Sequence, residues 1–156
     1  MLLRVIAVGT RMPAWVDQAV DDFSRRMPAE LRIDWKPVKA EPRAAGGSAA
    51  QWKSREAQRI QDALPSGARM VLLDERGADL DSNRLAARLS AWQRDGQAVA
   101  IVIGGPDGVD DAVRAQAAET LRLSSLTLPH ALARVLLAEQ LYRAWSINAG
   151  HPYHRE

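Results

Sequence analysis

The chain of 156 residues contains no cysteine, which removes disulfide staples, thiolate metal sites and cysteine nucleophiles together. Aromatic residues are scarce at 5%, with one phenylalanine, two tyrosines and five tryptophans. Long apolar runs are missing too. The N-terminal run Leu2–Val8 is interrupted by Arg4 and closed by Gly9; it is too short for a signal-peptide core and carries no cleavage site. No other stretch approaches the ~20 apolar residues of a membrane-spanning helix. A cytoplasmic protein with no membrane partner is the expectation. Neither the G-x-G-x-x-G fingerprint nor the P-loop pattern occurs, which disfavours a nicotinamide-dependent oxidoreductase and phosphate-loop chemistry.

What is present is ordinary for a globular domain: 47% apolar and 26% charged residues. A chain of this length buries about 70% of the surface its unfolded form exposes, enough for one core without staples. The net charge is +2, with 11 basic and 7 acidic groups in residues 1–60 and 10 and 12 in the remainder. Arginine supplies 18 of the 21 basic residues. A guanidinium forks well onto oxyanions such as phosphate, although arginine-rich coding would produce the same bias.

Hydrophobic periodicity predicts strands at residues 2–8, 31–38, 68–74 and 98–103, with a short extended segment at 121–128. Helices are predicted from Pro13 to about Met27, from about residue 50 to Leu64, from Asp81 or Ser82 through Trp92, from Asp110 or Asp111 to Glu119, and from His130 to Ile147. Residues 39–50, with Pro42, Gly46 and Gly47, read as a mobile loop. Strands alternating with helices indicate one α/β domain, a mainly parallel sheet with helices on both faces. In such sheets ligands bind beyond the carboxyl ends of strands, here the loops after Leu73 and after Ile103.

Four features could carry chemistry. Gly104–Gly108 follows a buried strand and reads as a ligand-approaching loop or as a tight turn. All three histidines, His130, His151 and His154, lie in the last 27 residues; Pro152 and the lack of a companion carboxylate argue against a metal site, and none is expected. The last helix is apolar on more than one stripe, which suits a buried core helix or a helix shared with a second subunit. The basic segment 32–59, with Trp35 and Trp52 interleaved, suits RNA contact or a solvated face.

The segments VIAVGTRMPAWV, VLLDERG, IGGPDG, LSSLTLPHALARVLLAEQLYRAWSI and HPYHRE together resemble the bacterial RlmH (YbeA) family. These are the ribosomal RNA large-subunit pseudouridine N3-methyltransferases of the SPOUT class. The resemblance spans essentially the whole chain and is weakest at residues 39–58. It implies a SPOUT-type fold whose C-terminal part, about residues 70–156, forms a trefoil knot, and an obligate homodimer. It implies S-adenosylmethionine (SAM) as methyl donor, with S-adenosylhomocysteine as product and no metal. The donor would be held by Leu73, Gly104, Gly105, Leu123, Ser124, Ser125, Leu126, Thr127 and Leu128. The implied target is N3 of a pseudouridine in the helix-69 loop of 23S rRNA, within the assembled ribosome. A non-catalytic RNA-binding module on the same fold is the alternative.

The imide proton must be removed before transfer, and Tyr153, His154 and Arg155 are the candidate catalytic residues for removing it, stabilising the anion or positioning the base. The alternative for this tail is that it only seals a dimer interface. A side chain at Gly105 is expected to fill ligand space, whereas Gly104→Ala is expected to be tolerated if its φ is negative.

Overall fold

The computed structural model describes residues 1–155; Glu156, the last residue of the HPYHRE motif, lies outside them, as does the side chain of Ala45. Strands β1 (Leu3–Val8), β2 (Ile33–Val38), β3 (Arg69–Asp79), β4 (Val99–Ile103) and β5 (Glu119–Arg122) form one sheet in the order β2-β1-β4-β3-β5, every pair parallel. Helices α1 (Ala14–Arg25), α2 (Ala49–Ala63), α3 (Ser82–Asp95), α4 (Asp111–Gln116) and α5 (His130–Ala149) connect and follow them.

Alternation along the strands sends side chains to two cores. Leu3, Val5, Val71, Val99 and Ile101 face α3 and α5 through Leu85, Leu89, Trp92, Leu137 and Leu141. Ile6, Val8, Met70, Leu72, Ala100 and Val102 face Ile60 and Ala63 of α2 and Val113 of α4. The sheet is therefore covered on both sides, as its near-continuous apolar strands require. Helix starts follow local chemistry. Ser48 and Gln51 form a capping box on α2, Asp81 accepts the Arg84 amide of α3, and Asp110 accepts the Ala112 amide of α4. Pro37 sits in β2, an edge strand, where a missing N–H is tolerated.

The structure departs from the sequence expectations in four places. β3 runs on to Asp79, because a bulge lets both Leu73 and Ala78 face Leu121 of β5. Gly77 makes this possible: a Cβ there would lie 2.6 Å from the Leu121 carbonyl carbon. β5 stops at Arg122, and residues 123–129 leave the sheet without regular structure. α4 ends at Gln116, since Glu119 belongs to β5 and is held by Arg69, Arg88 and the Trp92 indole at 2.7–2.9 Å. Residues 39–50 are not a free loop: a 3-10 turn at Arg43–Ala45 is tied to α2 by ion pairs. No helix among the described residues is long and apolar enough to cross a membrane.

Candidate functional site

β3 and β4 run side by side, with Leu73 opposite Ile103. Where they leave the sheet, a cleft of about 340 Å³ opens. Its floor is Leu73 and Ile103, one wall is the Gly104–Val109 loop, and the other is the segment following β5. Leu73, Gly104, Gly105, Leu123, Ser124, Leu126, Thr127 and Leu128 all line it. Ser125 does not. It borders an adjoining polar depression with Asp79, Asp81, Arg84 and Arg122.

The glycine loop closes on itself, with the Gly108 amide donating to the Gly105 carbonyl at 3.0 Å and Gly108 in the left-handed region at φ 79°. Neither expectation about substitutions in it holds. A Cβ on Gly105 would point behind the loop, 3.1 Å from both Glu56 Oε1 and Val8 Cγ1, rather than into the cleft. Gly104 lies outside the left-handed region, yet its Cβ would stand 2.8 Å from Val109 Cγ1. Close packing excludes a side chain at Gly104.

Beneath the loop lies a relay that sequence reasoning did not assign to the site. His130, the first residue of α5, places Nδ1 2.9 Å from the Gly104 carbonyl oxygen. Its Nε2 accepts from Arg134 Nε at 2.9 Å, so Nδ1 carries the proton and donates to Gly104. Arg134 is buried and also donates to the Gly9 carbonyl at 2.6 Å. Burial, then the neighbouring guanidinium, push His130 below its ordinary pKa, partly offset by the hydrogen bond to Gly104. Pro129-His130 followed one helical turn later by Arg134 was the available signal. At the cleft rim, burial raises the Asp74 carboxyl, but hydrogen bonds from the Arg76 amide and Arg114 outweigh it and keep the group ionised.

The tail forms a 3-10 turn, Pro152–Arg155, at the other end of α5. It folds back along the helix towards Glu139, which lies nine residues after His130, a rise of ~14 Å. Tyr153 donates its hydroxyl to Glu139 Oε1 at 2.9 Å, Arg143 lies 5.0 Å over its ring, and Tyr142 packs at 4.6 Å. Burial, then Glu139, raise the Tyr153 pKa. His154 Nδ1 is buried with no hydrogen-bond partner among the described residues, and Arg155 is exposed. None of the three lines the cleft of its own chain. Of the basic segment, Arg43, Arg55 and Arg59 are tied to Glu56 and Glu41, while Arg32, Lys36 and Lys39 are exposed. No group of three or more potential metal-ligating His, Asp or Glu side chains lies together among the described residues.

Residues 1–154 match a family model described as a predicted SPOUT methyltransferase. The chain is 59% identical to a ribosomal RNA large subunit methyltransferase H from Methylibium petroleiphilum and 57% identical to one from Variovorax paradoxus, each match covering the whole of both chains. Among solved structures, it is similar to a probable methylase family protein from Haemophilus influenzae (TM-score 0.56, 14% identity, 96% of this chain and 69% of that one). It is also similar to a probable methyltransferase from Bordetella pertussis (TM-score 0.54, 19% identity, 91% and 95%). Those two structures speak to the fold alone.

Proposed function

Because the chain belongs to the SPOUT methyltransferase family, within its ribosomal RNA large subunit methyltransferase H branch, we propose that it methylates N3 of a pseudouridine in the helix-69 loop of 23S rRNA on the assembled, cytoplasmic ribosome. The methyl donor in this reading is SAM. The observation that carries it is the cleft at the carboxyl ends of β3 and β4, walled by backbone and small side chains along the residues the resemblance assigns to the donor.

The cleft fits such a ligand. Its volume lies in the range of small-molecule sites. Leu73, Leu126 and Leu128 offer apolar surface, the glycine loop offers backbone, and Asp74 and Glu75 place carboxylates near a cationic guest. When bound, the donor supplies an activated methyl group on a sulfonium. The protein's share is alignment and proton removal. The cleft residues hold the donor in one orientation. His154, whose Nδ1 is unpartnered, accepts the imide proton; Arg155 offsets the charge left on the base; Tyr153 orients the ring or the tail itself. The new N–C bond forms as the C–S bond breaks, leaving S-adenosylhomocysteine.

A single chain keeps Tyr153, His154 and Arg155 out of its own cleft, with Tyr153 held on Glu139 of α5, which favours a homodimer in which one subunit's tail completes the other's site. Trp15 on α1 and Leu132 and Leu136 on α5 remain exposed, apolar surface suited to a second copy. The same reading takes residues of about 70–156 as the knotted region. Ribosomes from a strain lacking the modification test the proposal: incubation with the protein and SAM should add one methyl group at the helix-69 pseudouridine, mapped by mass. A methyl group found elsewhere, or none, overturns it.

A further inference from the structure

The turn that walls the cleft also has an outer side, and the residue holding it there is remote in sequence. Asp107 stands in the Gly105–Gly108 turn but outside the cleft lining. Its Oδ2 accepts from Arg43 Nε at 3.0 Å and Nη2 at 2.8 Å. The same guanidinium donates from Nη1 to Glu56 Oε2 at 2.6 Å and to the Glu41 carbonyl at 2.7 Å. It also lies 5.3 Å over the Trp52 ring, which limits its tilt.

Glu56 is 2% exposed, and its carboxylate runs directly behind Gly105. It further accepts the Glu41 amide at 2.9 Å. One planar cation thus bridges a buried carboxylate behind the loop and a more exposed carboxylate in its turn. A guanidinium suits this because its donors occupy two edges in fixed geometry, whereas an ammonium is a point charge.

We infer that Arg43 is a positioning residue for the cleft: it sets where the Gly105–Gly108 turn stands relative to the opposite wall, without touching the ligand. The inference rests on the reading of this cleft as the SAM site. It gives the segment least like the family, residues 39–58, a task at the site: placing the cleft wall from behind.

Calorimetric titration of the full chain with S-adenosylhomocysteine tests it, alongside the thermal midpoint without ligand. Asp107→Asn breaks only the exposed arm; it should weaken binding roughly threefold with an unchanged midpoint. Arg43→Gln should weaken binding roughly tenfold and also lower the midpoint, because it leaves Glu56 buried and unpaired. Arg43→Lys should fall between the unaltered chain and Arg43→Gln. The deciding variant is Arg43→Gln combined with Glu56→Gln: the midpoint should recover and the tenfold loss should remain. In steady-state methylation the KM for SAM should rise with kcat within about twofold. Unchanged affinity in Asp107→Asn and Arg43→Gln, or affinity recovering with the midpoint in the double variant, overturns the inference alone. No binding by the unaltered chain overturns the reading of the cleft, and the inference with it.

Discussion

At its N-terminal end α5 reaches outward to the backbone of other elements, His130 to Gly104 and Arg134 to Gly9, whereas at its C-terminal end Tyr153 turns back onto Glu139 and Arg143 of the same helix. The first set of contacts joins elements far apart in the chain, Arg134 and Gly9 being 125 residues apart. The second is more local, joined from other elements by an edge contact of Phe23 to Tyr153, by Arg26 over Tyr142 and by Asn148 donating to the Ala86 carbonyl. One end is preorganised within a single chain. The other is held by a local hydrogen bond and ring contacts, and leaves His154 Nδ1 without a partner among the described residues.

Deleting the residues after Pro152 probes this difference most strongly. Methylation should fall by roughly 100-fold or more, the scale of losing a positioned acid–base group, while dimerisation and S-adenosylhomocysteine affinity persist. If the truncated chain dissociates in sedimentation, or loses affinity in step with activity, the tail is a seal between subunits and not a source of catalytic groups.

At the other end, His130→Ala removes the donor to Gly104 and the acceptor of a buried guanidinium. The expected loss is about 2–3 kcal/mol of folding stability by urea denaturation, with weaker ligand binding. A pH series sharpens the point. The folded protein holds His130 below its ordinary value, so at a pH well above about 6.5 both states are unprotonated and the contribution is constant. As pH falls below about 6.5 the unfolded chain takes up a proton that the folded chain resists, and stability declines until the folded pKa is passed. The alanine variant should lack this segment of the curve. Glu119, lowered to about 2 because its hydrogen bonds outweigh burial, acts in a separate window: its contribution is present above about 4.5 and is lost as pH falls towards 2. The smallest effect belongs to Ser125, which borders the neighbouring depression. Ser125→Ala should leave S-adenosylhomocysteine affinity within about twofold, and a larger loss in titration would return Ser125 to the cleft.

Strand and helix positions were largely legible, because apolar period and capping residues are local. The errors share a cause in contacts between distant segments. The bulge in β3 depends on Leu121 approaching Gly77, which nothing near residue 77 announces. The direction of a Gly105 side chain depends on Glu56 and Val8. His130 looked like one of three histidines near the end of the chain until Gly104 and Arg134 appeared on either side of its ring. Eight of the nine residues that the resemblance assigns to the donor line the cleft, and Ser125 borders only the adjoining depression. The tail was legible as a cluster of chemical groups, but not as a turn folded back onto α5 and outside the cleft of its own chain.

The two outer strands carry a consequence for how copies of the chain can meet. β2 ends the sheet on one side with Lys36 exposed and Pro37 lacking an amide hydrogen, and β5 ends it on the other after only four residues. Neither edge is a good template for adding a strand from another molecule. Extension of the sheet into a continuous ribbon or fibre is thereby disfavoured, and a second copy is directed to the helical faces, where recognition depends on side-chain shape rather than on backbone hydrogen bonding.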